Sequence, residues 1–156
     1  MGKGWYTFNI VQNLLKIDSR NQYILYAKEG IAGFEQYKNA TLKLISSKGF
    51  FWHHKVAHDI ERENVEVFFA PSSYIIPILL PNFIKTILTV HDLVAFLFPD
   101  THNKKATFIE RLLLKRALKK SAFVCTVSEN TRRDVFERFK YPKEKMEVVY
   151  CAAGEQ

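Results

Sequence analysis

The feature that most constrains this chain is an apolar run that ends in two polar residues. Residues 84–90 are aliphatic or β-branched at every position but one, and His91 and Asp92 follow directly. A run that does not alternate between apolar and polar residues is typical of a central strand in a parallel sheet. Ligands of such sheets bind beyond the carboxyl ends of the strands. His91 and Asp92 are therefore candidate site residues, although a pair that merely begins a loop explains their position equally well.

Strand-like and helical patterns alternate along the rest of the chain. Short apolar runs are typical of buried strands, and apolar residues spaced three or four apart favour amphipathic helices. The alternation predicts an α/β fold with a mostly parallel sheet, right-handed crossovers and flanking helices. Ser128 is expected to cap the last helix. We expect strands at residues 22–28, 41–46, 65–70, 84–90, 122–127 and 146–150, helices after Gly4 and at 50–62, 107–120 and 128–140, and irregular connections at 74–83 and 93–103.

The chain is basic, with a formal net charge of +7 over 156 residues. This length is enough for one domain with a sizeable core. An excess of Lys and Arg favours anionic partners such as nucleotides, phosphates or anionic lipids, although a solvated basic face explains it equally well. The sequence has neither an RNA-binding aromatic signature nor zinc-finger spacing, so we expect no nucleic-acid partner.

The cysteines and the hydropathy pattern bear on the compartment. Cys125 lies in an apolar run and Cys151 near the end of the chain, positions typical of free thiols in a reducing compartment. No apolar stretch reaches the roughly 18 residues of a membrane span, and no secretory signal is recognisable. We therefore expect a cytoplasmic protein.

Several short motifs, taken in order, resemble the family-4 glycosyltransferases. Residues 2–7 (GKGWYT) resemble the end of that family's glycine-rich loop, where it enters the first helix. The order and spacing of the motifs carry the resemblance, which spans essentially the whole chain. The others are residues 89–93 (TVHDL), 98–100 (FPD), 127–134 (VSENTRRD) and 147–150 (EVVY), with a basic helix between the second and third of these.

The resemblance implies half of an enzyme. Family members have a GT-B fold and transfer a sugar from a nucleotide-sugar donor to an acceptor hydroxyl, with retention at the anomeric carbon. Residues 1–150 correspond to the Rossmann-like, N-terminal acceptor-side domain, and residues 151–156 to the start of the interdomain linker. The family's first strand and its donor-binding C-terminal domain have no counterpart here. We therefore expect a fragment, whether engineered, encoded by a split gene or read from a truncated frame, that is inactive without a separate donor domain.

The resemblance also implies which residues meet the substrates. His91 is the expected catalytic residue, offering a hydrogen bond to a hydroxyl of the donor sugar or to a phosphate oxygen. From the residues alone, Ser128 is explained better as a helix cap and Arg132 as part of a solvated helix face, while Asp92 is expected to orient the loop or His91. The expected substrate-binding residues are Gly2, Gly4, Tyr6, Asp92, Ser128 and Arg132.

Two other kinds of catalytic site are disfavoured. His54 and His58 lie one helical turn apart, but Lys55 stands where a zinc protease would need glutamate, so we expect no metal and no other cofactor. A hydrolase triad is disfavoured because Ser128 has no glycine-flanked elbow and Asp92 adjoins His91 in sequence.

Non-catalytic functions also fit the sequence. A sheet without its first strand would expose interior edges, which recruit another chain, and the result would be a self-associating module and a homo-oligomer. An unrelated phosphate-binding α/β module fits as well, since fold alone does not fix function. The basic helices at residues 107–120 and 128–140 further suggest contact with an anionic membrane surface, where lipid-linked acceptors are found.

Overall fold

The computed structural model describes residues 2–97 and 104–151, with the backbone alone at residues 95, 97 and 104–110. The Phe98-Pro99-Asp100 motif and most of the predicted linker at residues 151–156 lie outside the described residues. The elements are α1 (Lys3–Ile17), β1 (Tyr23–Ala27), β2 (Ala40–Leu44), α2 (Gly49–Arg62), β3 (Val67–Ala70), α3 (Ile75–Leu79), β4 (Lys85–Val90), α4 (Val94–Leu97), α5 (Lys104–Lys120), β5 (Ser121–Thr126), α6 (Glu129–Phe139) and β6 (Met146–Val148), with one turn of 3-10 helix at Lys143–Lys145.

The strands form two parallel sheets in two compact units. In the unit that extends to Glu63, β1 pairs with β2; in the unit from Asn64 onward, the order is β3-β4-β5-β6. All described pairings are parallel, which confirms the predicted α/β class with parallel strands and flanking helices.

The core of the second unit lies around β4. This strand pairs with β3 on one side and β5 on the other, and Leu88 and Val90 are completely buried. Helix α5 contributes Leu114 to the same cluster, and α6 contributes Val135. The nearly continuous apolar run thus forms a central strand, as the sequence predicts.

The first unit has a smaller core and a polar cluster beside it. Helix α2 buries Val56 and Ile60 completely. The ammonium of Lys43 lies 2.7 Å from a carboxylate oxygen of Asp59, and the hydroxyl of Tyr26 donates to the same oxygen at 2.9 Å. Because the lysine and the tyrosine both stabilise the charged carboxylate, they lower the pKa of Asp59.

Two short helices lie in segments predicted as irregular connections. Helix α3 contains Pro77 at its third residue. Proline is compatible with the first turn of a helix, since the amide hydrogen it lacks would have no partner there. Helix α4, with four residues, is only about one turn long, and so short a segment has no detectable periodicity. No described helix combines the length and hydropathy needed to cross a bilayer.

Candidate active site at the carboxyl edge of the second sheet

His91 follows β4 directly, and its ring is held against the end of the neighbouring strand. The imidazole is half-buried, and its Nε2 lies 2.8 Å from the carbonyl oxygen of Pro71, the residue after β3. A carbonyl only accepts hydrogen bonds, so Nε2 carries the hydrogen in this arrangement. In the neutral ring Nδ1 is then the acceptor nitrogen. In this structure the carbonyl of Pro71 therefore sets the orientation and the tautomer of the ring.

Ser128 caps the helix that follows the next strand. Its side-chain oxygen accepts a hydrogen bond from the backbone N–H of Thr131 at 3.1 Å, as expected for an N-cap. The hydroxyl oxygens of the two residues also lie 3.0 Å apart. Since the amide occupies one acceptor position of Ser128, the serine hydroxyl is suited to donate to the hydroxyl of Thr131.

Thr131 links the ends of the two central strands. Its hydroxyl donates to the backbone carbonyl of His91 at 3.4 Å, and the residue is 7% exposed. Val90 is paired with Thr126 in the register of β4 and β5, so His91 and Ser128 lie at the same sheet edge. The sequence predicted the sheet edge for His91 and the helix cap for Ser128, but it did not single out Thr131. The available signal was its position three residues after a capping serine, where a capping box places a polar partner.

Asp92 and Arg132 lie at this edge but already have local partners. A carboxylate oxygen of Asp92 accepts from the backbone N–H of Val94 at 3.1 Å, which orients the start of α4. The guanidinium of Arg132 lies 3.7 Å from the carboxylate of Glu129 in the first turn of α6. An exposed pair at this distance contributes at most about 1 kcal/mol, so it leaves the arginine available to an anion.

Gly2, Gly4 and Tyr6 belong to the first unit, at the beginning of α1. Gly2 precedes the helix with an extended φ of 171° that any residue can adopt. A Cβ added at Gly2 or at Gly4 would meet no other atom within 4 Å. Neither backbone strain nor packing within the protein therefore requires glycine at these positions. Their predicted role, close approach of a ligand to the backbone, stays a prediction.

The other histidines and cysteines in the described part of the chain show no catalytic arrangement. His54 and His58 are exposed on α2, and burial, then the charge of Lys28, lowers the pKa of the half-buried His53. Within residues 2–97 and 104–151, no three His, Cys, Asp or Glu side chains converge as a metal site would require. Cys125 lies on β5, where burial raises the pKa of its thiol and keeps it protonated.

Loss of the cap at position 128 should destabilise the second unit measurably. We expect Ser128→Ala to lower the free energy of unfolding by about 1 kcal/mol, because the amide of Thr131 loses its acceptor. Ser128→Asp keeps an acceptor at the positive end of the helix and should stay close to the original stability. Thermal unfolding followed by circular dichroism measures both variants. Equal destabilisation by Ala and Asp would contradict the capping role.

Comparison with known proteins agrees with this geometry. The family model described as Glycosyltransferase Family 4 matches residues 27–153. Over 63 residues the chain is also 35% identical to the O-antigen chain mannosyltransferase RfbU of Salmonella typhimurium. That match covers 40% of this chain and 17% of the relative, so the chain spans only a small part of the relative's length. Because the family model matches most of its length, this chain belongs to glycosyltransferase family 4.

Proposed function

We propose that this chain is the acceptor-binding half of a retaining glycosyltransferase, which moves a sugar from a nucleotide-sugar donor to an acceptor hydroxyl. One observation carries the proposal beyond family membership. The hydroxyl of Thr131 connects the residue after β4 to the cap of α6, so His91 and Ser128 face the same edge in a fixed arrangement. Ligands of parallel α/β sheets bind at this edge.

The chemistry needs hydrogen-bond donors where negative charge develops. When the glycosidic bond to the nucleotide breaks, the leaving diphosphate gains charge, and preorganised donors stabilise it. His91 is proposed to donate to the donor sugar or to a phosphate oxygen through Nε2, which would exchange its hydrogen bond to Pro71 for one to the substrate. The positive end of α6 points to the same edge and favours an anion there. The proposed reaction uses no metal or other cofactor from this chain.

Substrate-binding residues are proposed in each unit separately. Asp92, Ser128 and Arg132 are proposed to contact ligand at the edge of the second sheet, and Gly2, Gly4 and Tyr6 at the start of α1. The donor nucleotide would be bound mainly by a separate C-terminal domain, so we propose that the chain alone is inactive. The relative's name specifies mannosyl transfer, which makes nucleotide-activated mannose the first donor to test. A sugar or a lipid-linked hydroxyl is the proposed acceptor.

The cellular setting belongs to the same proposal. Cys125 and Cys151 are free thiols, as suits a reducing compartment such as the cytoplasm. The charge of α5, which has seven basic residues and one acidic residue, suits a protein that rests on an anionic membrane surface, near lipid-linked acceptors. Helix α6 has three residues of each sign and adds no net charge. Self-association is also proposed, because strand edges without a partner pair readily with a second copy.

The test is reconstitution with a donor domain. Nucleoside-diphosphate mannose and glucose are incubated with the chain, with and without the separately produced C-terminal domain of a family-4 enzyme, and release of nucleoside diphosphate is measured with a mixture of acceptors. We expect release only when both parts are present. The donor domain alone is the matched control. Equal release with and without this chain would overturn the proposal.

A further inference from the structure

A basic groove lies at the other end of the second sheet. It has a volume of about 520 Å³, and its apolar wall contains Leu118 and Phe139. Ser121 is the first residue of β5 and Lys145 directly precedes β6, so the groove lies at the amino ends of these strands. The candidate active site lies at their carboxyl ends. The lining of the groove includes five cations and no carboxylate: Lys115, Lys119, Arg138, Lys140 and Lys145.

The charge of this groove is not neutralised within the protein. In the described part of the chain, none of the five cations has an ion-pair partner, and all five are exposed. Cations in the last turn of a helix offset its dipole, which accounts for Lys119 and Arg138. It does not account for Lys115, which lies more than one turn before the end of α5, or for Lys145, which lies outside both helices.

One wall of the groove is held by a hydrogen bond between its residues. The hydroxyl of Tyr141 donates to the carbonyl of Ser121 at 3.0 Å, and the tyrosine is 8% exposed. Lys140 caps the end of α6 in the left-handed conformation, with a φ of 53°. Lys140 therefore lies between the end of α6 and a buried, hydrogen-bonded tyrosine.

We propose that this groove binds phosphate groups, carried either by a lipid headgroup or by a soluble phosphorylated molecule. Its volume is that of a typical small-molecule site. Lysine and arginine side chains are the usual donors to phosphate oxygens, and converging positive charge attracts the anion. The site is distinct from the proposed transferase site, because the two lie at opposite ends of the same strands.

The test compares two triple variants with the same change of charge. Lys119→Gln/Arg138→Gln/Lys145→Gln removes three cations of the groove. The matched control, Lys16→Gln/Arg62→Gln/Lys38→Gln, also removes two lysines and one arginine, two of them from the last turns of helices. Tripolyphosphate is titrated calorimetrically at low ionic strength. Vesicles of phosphatidylglycerol mixed with phosphatidylcholine are tested by co-sedimentation, with pure phosphatidylcholine as the neutral reference.

We expect the groove variant to bind tripolyphosphate roughly tenfold more weakly and anionic vesicles roughly 100-fold more weakly, with the control variant within about twofold of the original chain. An effect on vesicles alone identifies a lipid headgroup as the ligand, and an effect on tripolyphosphate alone identifies a soluble one. Equal losses in the two variants would show that binding follows net charge only and would overturn the proposal. So would the absence of binding to both probes. Melting temperatures of the variants verify that each is folded, and the result is independent of sugar transfer.

Discussion

Replacement of His91 by alanine should lower the turnover of the reconstituted transferase about 100-fold or more. Removal of one preorganised hydrogen-bond donor to a developing oxyanion typically has this effect. We expect the loss mainly in kcat, with KM for the donor little changed, because the contact strengthens as the leaving group gains charge. Steady-state release of nucleoside diphosphate measures both constants.

Two further variants identify the ring nitrogen responsible. In His91→Gln, the side-chain amide nitrogen can take the position of Nε2, the ring nitrogen that donates to Pro71. In His91→Asn, the amide nitrogen can take the position of Nδ1 instead. Retention of more activity in the glutamine variant than in the asparagine variant is the expected result. Thermal unfolding of all three variants verifies that the sheet edge is intact. Turnover equal to that of the original chain in the alanine variant would remove His91 from the mechanism.

Truncation of Leu88 should have the largest effect on stability. The side chain is completely buried in β4, between β3 and β5, so Leu88→Ala leaves a cavity that its paired neighbours cannot readily fill. We expect a loss of about 2–5 kcal/mol, a large part of the roughly 5–15 kcal/mol that stabilises a typical domain. Urea unfolding followed by circular dichroism measures the difference.

The matched control makes the same chemical change at the surface. Leu112 is 40% exposed on α5, and Leu112→Ala should cost less, since part of the side chain already contacts water. Similar losses at the two positions would show that β4 is not the centre of the core. They would also weaken the argument that places His91 at the end of a central strand.

The longest elements could be predicted from the sequence because their patterns are long. The run before His91 and the periodicity of α5 each extend over enough residues to exclude the alternatives. Helices α3 and α4 could not be predicted, because they have five and four residues and the first contains Pro77. Their geometry depends on packing in the second unit, which no local pattern encodes.

The candidate site could be predicted only in part. His91 was found because it follows an apolar run directly, and Ser128 because a serine before a helical pattern is a typical cap. Thr131 was missed because its role depends on a contact with the carbonyl of His91, forty positions away in the chain. The ion pair between Arg132 and Glu129 could not be predicted either, since an i,i+3 spacing permits a contact without requiring one.

The six residues of β5 separate the basic groove from the candidate active site. At about 3.3 Å per residue, the two lie about 20 Å apart. A bilayer held at the groove would thus leave the imidazole of His91 about that far above the headgroups. With the groove proposed as a lipid-headgroup site and His91 proposed as catalytic, the acceptor hydroxyl would have to extend a comparable distance from its lipid, as it would on a chain that already carries several sugars.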